Sequence, residues 1–224
     1  MYKLSIIIPT LNESGQIEHC LNGLQLLRQQ DHEVILVDGG SIDNTVSLAT
    51  PLCDCVIQSK KSRAIQMNMG AAKATGDCLL FLHADTTLPS GITDLFLRIE
   101  NIENKWGRFD IKLSGHHFLF RIIEQCMNLR SRLTGIATGD QAVFVGKELF
   151  FSINGFPEIA LMEDIAISRL LLKQSKPICF KEKAISSSRR WEKNGIIRTI
   201  FKMWFLRLLY FFHVDVNKLA RIYS

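Results

Sequence analysis

The chain has 224 residues, 47% hydrophobic and 22% charged, with a formal net charge of +5. This is the composition of a soluble globular protein with room for one sizeable domain or a domain with an appendage. Six scattered cysteines (Cys20, Cys53, Cys55, Cys78, Cys126, Cys179) with no C-x-x-C exclude a disulfide framework and fit reduced core residues, leaving Cys53 and Cys55 as the one pair spaced for a metal or redox role.

The opening "MYKLSIIIPT" has one early Lys and a five-residue apolar run of strand type, too short for a secretory signal, so a cytoplasmic protein is expected. From there "LSIIIPT" (4–10) predicts a buried strand, 14–30 a helix, "EVILVDGG" (33–40) a strand and "SIDNTVSLAT" a capped helix start. "CVIQS" predicts a short strand, 62–74 a helix and "DCLLFLHAD" (77–85) a strand. Continuous apolar strands separated by helices predict an α/β fold with a mostly parallel central sheet covered on both faces, and ligands then belong at the carboxyl ends of the strands.

The second half is less regular. "GRFDIKLSG" and "QAVFVG" predict strands, "HFLFRIIEQCMNLRSRL" and "EDIAISRLLLKQ" helices, and "ISSSRRWEKNG" a loop. No repeat, low-complexity tract or Pro/Gly-rich linker interrupts the chain, which predicts one domain over 1–194 and an amphipathic helical C-terminal extension over 195–224. Residues 181–224 carry ten Lys or Arg against three Asp or Glu. A basic tail on a near-neutral body points to phosphates, as substrate or as membrane surface; no aromatic-studded motif or finger accompanies it, so nucleic acid is not expected. Arg198, Lys202 and Arg207 interrupt the apolar run 195–214, which suits a helix lying on a membrane surface or docked on its own domain.

Carboxylates and an amide follow three of the predicted strands: Asn12 and Glu13, Asp38, and Asp85. Asp38 also suits the turn and cap chemistry of "DGGSIDNT". The dinucleotide fingerprint and the Walker loop are both absent, so a bound nucleotide would need another neutralising charge, and a divalent cation on Asp85 would supply it. His83, two residues earlier on the predicted strand, shares a side with Asp85, and a core histidine with one hydrogen bond is the alternative.

The motifs "SIIIPTLNE", "VDGGSIDNT", "RAIQMNMGAAKATGDCLLFLHADT", "GDQAVFV", "NGFPE" and "LMEDIAIS", in that order over about residues 3–195, resemble the inverting nucleotide-sugar glycosyltransferases of family two, with the GT-A fold. Within that family the chain most resembles a small bacterial selenium- or radical-domain-associated branch. The resemblance makes Asp85 the metal-binding carboxylate of the family's D-x-D motif, with Mn²⁺ or Mg²⁺ as cofactor, and puts His83 where a ribose-contacting carboxylate usually stands.

By the same resemblance, Pro9, Thr10 and Glu13 line the nucleotide pocket, Asp38 contacts the base, and Arg63 is a basic residue at the nucleotide. Gly139, Asp140 and Gln141 face donor sugar and acceptor, with Glu163 beside them, and Asp164 is the catalytic base. "SSSRRW" resembles the Q-x-x-R-W motif of processive members, with Ser187 in the Gln position, so Arg190 and Trp191 would close over the diphosphate without implying polymer synthesis. Inverting displacement of a nucleoside diphosphate needs one carboxylate to take the acceptor proton, and the metal stands in for a general acid. Glu163 and Asp164 also suit the first turn of a helix, where the macrodipole favours acids. The implied partners are a nucleotide-diphosphate-sugar donor, UDP- ahead of GDP-linked, and a hydroxyl acceptor of unknown identity for which a lipid-linked form suits the basic tail. The protein would then be cytoplasmic with peripheral contact at the inner face of the membrane. A sugar-nucleotide nucleotidyltransferase and a non-catalytic nucleotide-sugar-binding protein are the alternatives.

Overall fold

The computed structural model describes residues 2–223. Among these, eight strands form one sheet: β1 (Leu4–Thr10), β2 (Glu33–Asp38), β3 (Cys55–Gln58), β4 (Cys78–Phe81), β5 (Thr86–Thr87), β6 (Trp106–Leu113), β7 (Val143–Gly146) and β8 (Ile178–Ser186), in the order β3-β2-β1-β4-β7-β6-β8-β5. The first four in space run parallel. β7 runs antiparallel to β4 and β6, β8 parallel to β6, and β5 antiparallel to β8, so the sheet is mixed.

Alternation along the parallel strands divides the core in two. Leu4, Ile6, Ile8, Val34, Leu36 and Leu80 meet Ile17, Leu21, Leu24 and Leu27 on one face. Ile7, Ile35, Val37, Leu79 and Phe81 meet Ala64, Met67 and Ala71 of the helix Arg63–Lys73 on the other. Each large aliphatic side chain buried this way contributes roughly 1.5–3 kcal/mol. Gly70 sets the depth of that helix: a Cβ there would fall 2.4 Å from a methyl of Ile7.

Phe96, Phe109, Phe144 and Phe180 pack as one aromatic group under the second half of the sheet. The helix Phe118–Thr134 packs Phe120 and Ile123 on Ile111 and Leu113 of β6 and is also tied to that strand by polar contacts. Asp110 pairs with Arg108 and, at 2.8 Å, with Arg132; Asn128 brackets the backbone of Ile111; Glu124 accepts the Leu113 N–H at 2.7 Å.

Three predicted elements come out differently. The helix over 14–30 is two pieces, Ile17–Asn22 and Gln25–Gln29, broken at Gly23, a poor helix former. The strand predicted through Asp85 ends at Phe81, because the chain turns and the Thr86 N–H donates to the His83 carbonyl. Strand alternation therefore does not govern His83 and Asp85. The predicted loop 185–195 completes β8 and forms the helix Arg189–Asn194, which packs half-buried Trp191 against Ile111, Leu113 and Phe120. Four of the seven strand pairings among the described residues are parallel, three among β1–β4 and one between β6 and β8, and the antiparallel ones all involve β5 or β7.

After Gly195, helices Ile196–Phe211 and Val216–Tyr223 fold back onto the body, and Leu206 and Leu219 are sealed against Met162 and Ile165. No helix among the described residues is long and apolar enough to cross a membrane.

Candidate active site

The loops after β1 and β2 lock together. Asp38, buried at the end of β2 beside Thr10 of β1, accepts the Gly40 and Ser41 N–H groups at 3.0 and 2.9 Å and the Ser41 hydroxyl at 2.5 Å. Asn12 takes the Ile42 N–H at 2.9 Å and gives its own N–H to the Ser41 hydroxyl at 2.8 Å. Both oxygens of Asp38 thus shape the loop. Gln66 donates to the carbonyls of Thr10 and Val37, holding the ends of β1 and β2 in place, while Pro9 lies one residue back on β1.

A second group gathers where the chain leaves β4, approaches β7 and starts the helix Glu163–Leu172. His83 Nδ1 stands 3.3 Å from Asp140 Oδ1. The ring also fills the space over Gly139, where a Cβ would fall 2.3 Å from Nε2. Gly139 donates its N–H to Asp164 Oδ2 at 3.2 Å, and Ile165 donates to Asp164 Oδ1 at 2.8 Å. Gln141 is fully buried and its side-chain oxygen accepts from the Thr138 N–H and hydroxyl, closing the turn as a capping box; its Nε2 has no partner among the described residues.

The backbone is strained at both edges of this group. Ala142 (φ 47°) and buried Met162 (φ 69°), immediately before Glu163 and Asp164, adopt left-handed conformations that cost non-glycine residues roughly 1–3 kcal/mol each. Strain of this kind persists where surrounding structure enforces it, and it fixes the direction of the two acids. A cavity of about 20 Å³ lies beside them, lined also by Met67, Phe81, His83 and Phe156, with room for about one water.

Charges couple the group to the rim. Burial pushes the carboxyl of Glu163 up, the neighbouring charge of Asp164 adds to this, and Arg63 opposes it. For Asp140, burial works upward, but the hydrogen bond and charge of His83, with Arg63 and Arg207, hold the carboxyl below its ordinary value. Arg63, first residue of its helix and exposed, has the opposite balance: desolvation works against its charge, and Tyr223, Glu163, Asp140 and Asp164 outweigh it.

Glu13 is raised by burial and then by the charge of Asp85, with Arg189, 3.3 Å away, pulling it back. Asp85 also acts on Cys20, whose thiol, mainly through burial, is pushed up to about 12. The carboxylates of Glu13 and Asp85 offer the hard oxygens that Mg²⁺ or Mn²⁺ would take together with substrate phosphates. Among the described residues no three His, Cys, Asp or Glu side chains form a cage that could hold a metal alone, the Cys53 and Cys55 pair included.

Arg190 and Trp191 diverge. Trp191 packs into the apolar cluster of β6, whereas Arg190 stacks 4.0 Å over the Tyr223 ring and donates to its hydroxyl. Lys202 holds the Tyr223 carbonyl at 2.9 Å. In the sequence, Arg189 lies inside "SSSRRW" without a role of its own, Arg207 stands out only as a basic break in the apolar run 195–214, and nothing marks Tyr223 or Arg130. These residues come from the C-terminal helices and from the helix Phe118–Thr134, far apart in the chain.

The fold is of the GT-A type, a curled mixed α/β sheet flanked by helices, with carboxylates and arginines at its carboxyl rim. The chain belongs to the glycosyl transferase family 2, whose family model matches residues 5–124. It is 38% identical over 91 residues to the PGL/p-HBAD biosynthesis glycosyltransferase of Mycobacterium tuberculosis, a stretch covering 38% of this chain and 36% of that protein. Among solved structures it is similar to Staphylococcus aureus TarS 1-349 in complex with UDP-GlcNAc (TM-score 0.67, 21% identity, 83% of this chain and 58% of that one). It is also similar to the mannosyltransferase PcManGT of Pyrobaculum calidifontis in complex with GDP-Man and Mn²⁺ (TM-score 0.63, 20% identity, 83% and 56%).

Proposed function

We propose that the protein transfers a sugar from a nucleoside-diphosphate sugar to a hydroxyl acceptor with inversion, and that Asp164 is the base. The observation that carries this reading is the fixing of Asp164 by the Gly139 N–H at the strained start of its helix, beside Arg63 and a raised Glu163. In the step itself, the acceptor oxygen bonds to the anomeric carbon and its proton passes to Asp164. The bond from that carbon to the diphosphate breaks, and the leaving oxygen keeps the electron pair.

Pro9, Thr10, Glu13 and Asp38 border the nucleotide in this reading, Arg63 faces its phosphates, and Asp140 and Glu163 face the sugar and acceptor, while buried Gln141 shapes the turn that carries Asp140 rather than reaching substrate. Asp85, with Glu13 beside it, would hold a divalent cation. When bound, that cation neutralises charge gathering on the leaving diphosphate. UDP and UDP-GlcNAc in one structural neighbour, and GDP-Man with Mn²⁺ in another, support a nucleotide-sugar donor and a divalent metal. Residues 1–194 form the transferase domain in this account and 195–224 an extension. The exposed apolar side chains of that extension (Ile197, Phe201, Trp204, Phe205, Leu208) and its basic residues support peripheral membrane contact at the inner face.

The test is incubation with UDP- and GDP-sugars and Mn²⁺, measuring nucleoside diphosphate release with and without acceptor extracts. Release of UDP or GDP supports transfer. Pyrophosphate chemistry would point to a nucleotidyltransferase, and binding without release to a sensor.

A further inference from the structure

Arg130 and Arg207 are two guanidinium groups that no carboxylate pairs directly among the described residues. Nε and Nη2 of Arg130 and Nε of Arg207 are shut off from solvent without a hydrogen-bond partner, and neither side chain joins an ion pair among the described residues. Other arginines nearby do find carboxylates: Arg108 and Arg132 share Asp110, and Arg121 meets Glu124. Burying cationic nitrogens unpaired is costly, so a ligand that pairs them gains what the protein has already lost.

Their placement says where that ligand sits. Arg207 follows Leu206, which is sealed against Met162 and Ile165, the residues on either side of Glu163 and Asp164. Arg130 lies in the last turns of the helix Phe118–Thr134, and the chain runs from there through Ile136, in the same apolar cluster, to Gly139, whose N–H holds Asp164. The electrostatics agree with that geometry. Burial and then the charge of Arg207 bring Arg130 down to about 10, and burial lowers Arg207, while Asp164 acts on both in the opposite direction.

We propose that Arg130 and Arg207 form a binding site for a phosphate group on the acceptor, which anchors the acceptor with its hydroxyl toward Asp164. Paired guanidinium forks suit the tetrahedral oxygens of a phosphomonoester, and the family motifs that mark the donor side include neither residue. The link to the acceptor rests on the transfer reading above; the anion site does not. Two sources share this chemistry, a phospholipid-like amphiphile and a small soluble phosphorylated molecule.

The experiment titrates the full chain with inorganic phosphate by calorimetry and thermal shift, both with saturating UDP and Mn²⁺ and without nucleotide. Wild type is compared with Arg130→Gln, Arg207→Gln and, as a control on an exposed residue, Arg98→Gln. Phosphate should bind wild type and the control, and weaken by about tenfold or more in each of the first two variants, while UDP affinity stays unchanged. Should either Gln variant fail to fold, the Lys variants at the same positions keep the charge without the fork and should still weaken phosphate. Dodecyl phosphate and glycerol phosphate then compete for the site: tighter binding of the first assigns an amphiphilic source, and tighter binding of the second a soluble one. No phosphate binding by wild type, equal phosphate affinity in wild type and both variants, or competition by neither monoester would overturn the proposal. Absence of UDP binding would count against the donor reading and leave the phosphate result standing.

Discussion

His83 Nδ1 lies 3.3 Å from Asp140 Oδ1, and the same imidazole covers the α-carbon of Gly139. That contact joins the chain leaving β4 to the turn before β7, and through the Gly139 N–H it reaches Asp164. Where the family pattern has a carboxylate, this protein has a ring that positions the turn. Gly139→Ala should therefore displace His83, because its Cβ would fall 2.3 Å from Nε2. The expected result is a loss of about 1–3 kcal/mol in stability together with a fall in transfer of more than about tenfold. Denaturant melts alongside rate measurements check it, and wild-type rates in the variant would contradict the positioning role.

Asp85→Asn should weaken Mn²⁺-dependent UDP binding while leaving the fold intact, since a carboxylate at the rim adds little to the core. It should also relieve Glu13, which the charge of Asp85 now raises. Calorimetry with and without Mn²⁺ decides the matter; equal metal dependence in both proteins would remove Asp85 from the site.

Glu163 gives a pH signature. Its folded carboxyl is raised, first by burial and then by Asp164, so its contribution to stability is full below the unfolded pKa of about 4.3 and is lost as pH rises through the folded value. Glu163→Gln removes that loss. The variant should melt higher than wild type at neutral pH, and the gap should narrow toward pH 4. A variant less stable than wild type at pH 7 would mean the ionised carboxylate is being stabilised.

The helix Ile196–Phe211 leaves Phe201 at 70% and Trp204 at 71% exposure. With its basic neighbours this predicts flotation with anionic liposomes at low salt, reduced in Trp204→Asp and by high salt. Protein that stays at the bottom of the gradient at low salt is not membrane-bound.

The parallel half of the fold is legible in the sequence because its strands are apolar on both faces and each is followed by turn residues, a pattern that by itself brings Asn12, Asp38 and Asp85 to one rim. β8 is hidden by exposed Lys181, Glu182 and Lys183, which break its apolar run. The helix Arg189–Asn194 is hidden because its stability comes from Trp191 packing on a distant strand. The links that complete the site are equally invisible: Arg189 meets Glu13 across 176 residues, and Arg190 meets Tyr223 across 33. Such pairs depend on how the C-terminal helices fold back, which no local pattern encodes.

Asp164→Asn tests the central claim most directly, by measuring transfer rate and donor affinity on the same preparation. If Asp164 takes the acceptor's proton, donor binding and melting temperature should stay close to wild type while transfer falls by roughly 10²–10⁴-fold, because an amide cannot accept that proton. If Asp164 only complements its helix dipole, the substitution should lower stability by about 0.3–1 kcal/mol and leave turnover nearly unchanged. The second outcome would contradict the account and move the search for the base to Glu163 and Asp140.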